Sequence, residues 1–386
     1  MNLTLLEILL LLLFCVNSML QYNLMVYHLL IDYYAYIVTG LLIFMLLSQS
    51  LRYEKRVLLP SLLIVLLVMI NTRINGLALG ELLPIFIFII IILMMLGIKK
   101  HENFDRCFLW INWISWGYLI AYAMIFKDSL ETLANINSTV GIVDRSVLNP
   151  NTVGMGIAIN YWLVRYAIND VKNKMIINIF MFACSILGLA ISGSRTAMLS
   201  LISSMLFYCI FKNVMQRNKK FTTIIFMLIG VMGCIYPLVY IWAWLEYGGD
   251  MTFLGKPLFT GREIIWANLF NYMDDLPLSY AVGTGKVETL FWNDHFNLHN
   301  GYLSVGAEYG FSVLLLIFIL IKKMIVRPYR LYKKKLPAKI IPLYMCLFVI
   351  MLEAYTETVF TYILSIIYPA IVLGLMNVIE NNKDDL

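Results

Sequence analysis

Charge is the scarcest property of this 386-residue chain: Asp, Glu, Lys and Arg make up 13% of it, against roughly 25% in soluble domains. With 61% hydrophobic residues and a mean hydropathy of +0.81, there is too little polar surface to coat a soluble fold. Histidine is scarcer still, at four residues, and the six cysteines form no CxxC pair and no group with histidine. That excludes a disulfide framework and a zinc site, and leaves Cys15, Cys107, Cys184, Cys209, Cys234 and Cys346 as small hydrophobes. Phosphate-loop chemistry is missing too. Gly283-Thr-Gly285 has neither the other glycines nor the Lys-Ser/Thr of a nucleotide site, so it reads as a turn and an ATP-driven pump is excluded. There is no Ser-His-Asp arrangement with usable spacing, no internal repeat and no low-complexity tract. The first apolar stretch, 3–20, has no basic flank and no small-residue cleavage site, and reads as a retained span.

What the chain has in abundance is apolar runs of membrane length. A hydrocarbon core of about 30 Å takes about 20 residues of helix. On that ruler an all-α, polytopic fold of about twelve spans is expected, near 3–20, 29–50, 57–71, 82–98, 107–126, 151–168, 175–191, 197–211, 221–242, 301–321, 338–355 and 359–378. Residues 1–386 then form a single transmembrane domain with both termini on one side. Arg52, Lys55 and Arg56, then Lys99, Lys100 and Arg106, Lys172 and Lys174, the Lys212–Lys220 cluster and the Lys322–Lys339 run all fall on that side. The positive-inside rule makes it cytoplasmic. The sequence pI near 8.8 follows from this topology and implies no nucleic-acid partner.

Few cations remain outside: Arg73, Lys127, Arg145, Arg195, Lys256, Arg262 and Lys286. Two outer connections are long, 127–150 and 243–300. The second, between the ninth and tenth helices, carries Trp266, Phe270, Tyr272, Phe291, Trp292 and Phe296, too aromatic for a disordered tether. Arg262 opens a helix-like apolar pattern there, where it can donate paired hydrogen bonds to phosphate oxygens, snorkel at the interface, or pair with Glu263 or Asp274. Arg195 lies in Ser192-Gly-Ser-Arg195, a tight connection that brings a cation close to the membrane interior, beside a wet cavity, an anion or headgroups. Arg145 precedes Leu148-Asn-Pro-Asn151 and stands beside Asp144. His299, next to Asn300, can take a proton from a hydroxyl at neutral pH. His295 is four residues earlier, but with no HExxH pattern and no third ligand a metal is not expected. Glu308 lies inside the tenth span, and Glu353 and Glu357 bracket the outer end of the eleventh. Acids in such places need compensation, which the outer arginines can give.

In order, Asn149-Pro-Asn151, Ser192-Gly-Ser-Arg195, Thr260-Gly-Arg262 with Trp266, Gly283-Thr-Gly285, His299-Asn300 and Glu308-Tyr-Gly310 resemble the O-antigen polymerase and ligase superfamily, over roughly residues 145 to 315. The resemblance implies a bacterial membrane glycosyltransferase of GT-C type. It would act without a metal or other cofactor on sugars carried by undecaprenyl pyrophosphate, at the outer face of the cytoplasmic membrane. It further implies that Arg195 and Arg262, and less closely Arg145, hold the pyrophosphate, while His299 assists the acceptor hydroxyl. Asn300, Glu308 and Glu357 are further expected substrate contacts. The ligase pattern runs His-Asn, nine residues, Gly, two residues, then Gly, Thr or Tyr; here Gly310 fits and Val313 does not. A polymerase of O-antigen, capsule or exopolysaccharide repeats is therefore expected, with a flippase and a chain-length regulator as partners. The alternatives are an O-antigen ligase and a lipid-linked oligosaccharide flippase. A flippase would spread polar residues along a path between two similar halves, whereas here they crowd the outer loops.

Overall fold

The computed structural model describes residues 4–22, 33, 36–38, 40, 55–76, 82–96, 99–100, 102–135, 148–168, 173–249, 251–253, 256–259, 261–285, 298–332, 335–362 and 364–380. Most of the expected span 29–50 lies outside them, as do Arg145, Lys286, His295, Phe291, Trp292 and Phe296.

The described chain is helical, with two pairs of two-residue strands as its only sheet. Lys99–Lys100 (β1) runs parallel to Ile379–Glu380 (β4), and Thr252–Phe253 (β2) antiparallel to Lys256–Pro257 (β3). Five helices among the described residues are long and apolar enough to cross a membrane. They are Lys55–Asn75 (α2), Asn103–Ile125 within Glu102–Ile125 (α4), Lys174–Ser192 (α7), Arg195–Arg217 (α8) and Lys219–Tyr247 (α9). Shorter apolar helices occupy Leu5–Ser18 of Leu5–Tyr22 (α1) and Leu83–Met95 (α3). This is a membrane protein.

Two helices form its centre. Pro150–Ala167 (α6) starts where Asn149 Oδ1 accepts the Asn151 amide at 2.8 Å, with Pro150 in the first turn, where its missing N–H costs nothing. It is buried on nearly every side, as expected of a helix apolar all round, and packs against α4, α7 and Ile341–Glu353 (α14). Buried indoles find partners on neighbouring helices: Trp162 of α6 donates to Ser204 of α8 and Trp116 of α4 to Ser185 of α7, both at 2.9 Å. At 1.5 Å per residue, the 29-residue α9 is about 43 Å long. It is longer than a hydrocarbon core of about 30 Å needs.

The tenth and twelfth expected spans come out differently. Residues 301–321 are not one helix: Gly301–Tyr309 (α12) stops at Gly310, and Phe311–Leu331 (α13) begins beyond it. Gly310 has φ +92°, and a Cβ there would sit 2.1 Å from the Ala281 carbonyl oxygen, so the chain turns against the segment carrying Leu278–Val282 (α11). Thr284 donates its amide (2.6 Å) and hydroxyl (3.0 Å) to the Ala307 carbonyl, and Asn71 of α2 donates to the Glu308 carbonyl at 2.9 Å. Gly283-Thr-Gly285 is thus a docking turn. Because α13 continues to Leu331, Lys322, Lys323, Arg327 and Arg330 sit on a helix and not in a loop. In the twelfth, only Ile367–Leu375 (α15) is helical, about 14 Å of rise, after turns over most of 354–366.

Replacing Gly310 by Ala forces both a left-handed backbone and a backbone clash. It should lower stability by about 2 kcal/mol or more. Gly117→Ala, with nothing within 4 Å of the added carbon, should leave stability unchanged or slightly raised. Thermal unfolding of both variants in detergent checks the contrast.

Candidate active site

Arg195 and Arg262 occupy the same unusual position, each the first residue of a helix. α7 ends at Gly193 (φ +70°), whose amide bonds the Leu189 and Ala190 carbonyls, and after Ser194 the chain re-enters a helix at Arg195. The turn is pressed onto α6 at Gly154, where a Cβ would lie 2.4 Å from Ser194 Cβ, so only glycine lets the arginine come this close. Gly261 (φ +89°) precedes Arg262–Asp275 (α10), and its amide donates to Glu263 Oε1 at 3.0 Å. Neither helix receives a cap from its N-cap side chain. A helix N-terminus already carries about half a positive charge, so an arginine there stands against the dipole unless an anion joins it.

Glu357 ties these pieces together. Its Oε1 lies 4.0 Å from Arg262 Nη2 and accepts from Asn151 Nδ2 at 2.7 Å, while Asn151 Oδ1 accepts from Ser194 Oγ at 3.4 Å. Thr356 Oγ1 donates to Thr196 Oγ1 at 3.2 Å, holding the turn after α14 to the start of α8. The charge of Arg262 acts on Arg195, His299 and Glu357 alike. Four stretches distant in sequence meet here: 149–151, 192–196, 261–263 and 354–357.

An aromatic wall positions the fifth. Trp266 of α10 is fully buried, packs against Tyr236 and Tyr240 of α9, and donates Nε1 to the Leu298 carbonyl at 2.6 Å. Tyr240 donates to the Leu258 carbonyl and stacks edge-on against Phe259. This fixes residue 298. On the other side Asn300 caps α12, accepting the Leu303 amide at 2.7 Å and donating to the Tyr355 carbonyl at 3.0 Å. Between two fixed neighbours His299 takes φ +48°, a left-handed backbone rare outside glycine. Strain of this kind, of order 1–3 kcal/mol, persists where surroundings over-determine it.

Burial, helped by the nearby Arg262 cation, pushes the His299 imidazole down to about 3. It is therefore neutral at pH 7. Burial pushes Glu357 up from the usual carboxylate range, with the Arg262 charge and the Asn151 hydrogen bond pulling the other way.

Of the residues expected from sequence, Arg195, Arg262, His299 and Glu357 come together. Asn300 does not offer itself to a substrate: it is fully buried and its amide is spent on the backbone. Glu308 contributes its carbonyl, held by Asn71 and seated against Gly283. Arg145 lies outside the described residues. Asn151 and Ser194 stood inside the quoted motifs without an assigned role, and Tyr236 and Tyr240 were missed. Their signal is a four-residue spacing toward the C-terminal end of a helix longer than a hydrocarbon core needs. Glu353, fully buried, accepts from Ser200 Oγ at 2.5 Å and leaves Oε2 without a hydrogen bond.

Fold and site together define an integral membrane protein with two helix-initiating arginines gathered near a neutral histidine. Residues 180–318 match the O-antigen ligase family, a stretch that holds Arg195, Arg262 and His299 and leaves out Asn151 and Glu357. The match supports the resemblance to the O-antigen polymerase and ligase superfamily. No curated protein and no solved structure matches the chain.

The lowered value of His299 has a signed consequence. Between pH 6.5 and about 3 the unfolded chain binds a proton there that the folded chain does not, so stability is lost as pH falls through that window. His299→Asn, which tolerates the left-handed backbone, should show a shallower fall in melting temperature between pH 6.5 and 4 than the parent protein. Identical slopes in the two proteins would remove the assigned cause.

Proposed function

We propose that this protein is a polysaccharide polymerase of the bacterial cytoplasmic membrane, with about twelve spans of GT-C type and cytoplasmic termini. It would join oligosaccharide repeat units carried on undecaprenyl pyrophosphate at the outer face, for O-antigen, capsule or exopolysaccharide, in concert with a flippase and a chain-length regulator. The observation that carries this is the convergence of two helix-initiating arginines on one side of a neutral histidine.

The chemistry follows from charge. Transfer breaks the bond between the anomeric carbon and the pyrophosphate oxygen and forms one from an acceptor hydroxyl to the same carbon. Attack opposite the leaving group inverts that centre. The departing pyrophosphate gathers negative charge, which Arg195, Arg262 and the dipoles of the two helices they begin stabilise. Arginine suits this better than lysine because its planar fork can grip two phosphate oxygens. His299, neutral, accepts the acceptor's proton on a ring nitrogen. In the empty site the Arg262 charge weakens that base. A bound pyrophosphate offsets this charge and raises the proton affinity of His299 when the acceptor is present, although burial still opposes protonation. Glu357 holds Arg262 and Asn151 in register through its single shared oxygen.

A second reading, O-antigen ligase, is favoured by the description of the matching family. Val313, the departure from the ligase pattern, is fully buried in α13 and touches packing and not the acceptor. The acceptor therefore separates the two: a polymerase lengthens the lipid-linked chain, and a ligase moves a finished chain onto lipid A core.

In a cell lacking its own polymerase, Arg262→Ala and Arg195→Ala should each reduce the glycan ladder by about 10²-fold or more, the effect of losing one charge-stabilising donor. Arg→Lys at either position should restore only part of it, and His299→Asn should abolish elongation while the protein still inserts. Lys127→Ala, an outer cation outside the cluster, should leave the ladder intact. A normal ladder from Arg262→Ala or His299→Asn would defeat the assignment.

A further inference from the structure

A groove of about 350 Å³ lies between α2 and α13, away from the arginine cluster, lined by Lys55, Arg56, Leu59, Pro60, Leu63, Leu316, Ile319 and Lys323. Its residues recur at helical spacing. Lys55, Leu59 and Leu63 follow one stripe of α2, and Leu316, Ile319 and Lys323 one stripe of α13, so both helices place cations at the same end and apolar side chains along the rest. Three of the eight lining residues are cations and none is an acid. Leu59 and Leu63 remain 62% and 40% exposed, apolar surface open to the surroundings.

The groove faces the opposite side of the membrane from the candidate active site. At the far end of α2, Asn71 and Asn75 bond the Glu308 and Gly283 carbonyls, near the segment that follows His299. Lys55 is about 24 Å from Asn71 along the helix, close to the thickness of a hydrocarbon core. A free inorganic anion would suit the three cations but gain nothing from the exposed Leu59 and Leu63 or the half-buried Leu316 and Ile319. A neutral lipid would suit the stripe and leave the cations unanswered. Basic pockets between membrane helices answer both demands with one molecule.

We infer that this groove is a binding site for an anionic phospholipid of the inner leaflet, its phosphate between Lys55, Arg56 and Lys323 and one acyl chain along Leu59, Leu63, Leu316 and Ile319. The site is separate from the proposed pyrophosphate site, which faces the other leaflet, and its occupant bridges α2 to α13. Since α13 begins at Phe311, one residue beyond the helix that follows His299, the lipid steadies the scaffold beneath the base.

The test uses the full-length protein in detergent, titrated by native mass spectrometry with phosphatidylglycerol, with phosphatidylcholine of the same chains, and with inorganic phosphate. The first phosphatidylglycerol should bind at least about tenfold more tightly than phosphatidylcholine, since each nearby cation contributes about fivefold. In Lys55→Gln/Arg56→Gln/Lys323→Gln that preference should fall to within about twofold. Leu63→Trp, which fills the groove and keeps its charges, should weaken the first binding step for the anionic lipid. Lys323→Gln alone should lose part of the preference, which keeps the test valid if the triple variant fails to fold. Equal binding of the two lipids, undiminished preference in Lys323→Gln and the triple variant, or displacement of the lipid by millimolar phosphate would overturn the assignment.

Discussion

One carboxylate holds the site together. Arg195 and Arg262 repel one another, and each begins a helix whose backbone already presents positive charge. Two such ends stay close only if something negative lies beside them and something apolar fixes the frames behind them. Glu357 supplies the first beside Arg262, and reaches the turn before Arg195 through Asn151, which donates to its Oε1 at 2.7 Å and accepts from Ser194 Oγ at 3.4 Å. The buried Trp266, pinned to Leu298 and wedged against Tyr236 and Tyr240, supplies the second. Removing the carboxylate would leave like charges facing each other where water screens little. Removing the indole would free α10 and the residue before the histidine together.

The same arrangement explains the backbone of His299. A left-handed histidine is unfavourable in isolation, but Leu298 is held by an indole and Asn300 is committed to capping α12. The chain between them has one way through. What the strain secures is placement: the imidazole is carried by residues that cannot move independently, close enough to Arg262 to feel its charge. Helix α12 passes this rigidity on, because it ends at Gly310 against the 281–285 turn, and the C-terminal end of α2 bonds both, Asn71 to the Glu308 carbonyl and Asn75 to the Gly283 carbonyl.

Much of this was legible in the sequence because membrane topology makes charge conspicuous. Arg195 and Arg262 stood out as cations on the sparsely charged side, and Glu357 as an acid beside a span. Most long helices fell within a few residues of their expected limits, since runs such as 221–242 contain little else than apolar side chains. What hydropathy could not read was backbone sign. Residues 301–321 are apolar throughout, and only a φ of +92° at Gly310 shows that they are two helices. Nor could it separate a polar residue offered to a ligand from one consumed by the fold. Asn300 and Asn151 look alike in sequence, yet one caps a helix and the other braces the carboxylate.

The looseness of the Arg262–Glu357 pair is itself informative. At 4.0 Å it is at the outer limit of an ion pair, longer than the 2.7–2.9 Å of a charge-assisted hydrogen bond. Glu357 spends its close contact on Asn151 instead. A tight bidentate pair would satisfy the guanidinium and oblige any incoming anion to break it first. A distant one keeps Arg262 in place by field alone and leaves its donors for another acceptor. Two arginines stand here with Glu357 and with Glu263, whose Oε1 is taken up by the Gly261 amide. An arginine whose close contact is left open, beside a histidine kept neutral by burial, is what the proposed stabilisation of a departing pyrophosphate rests on.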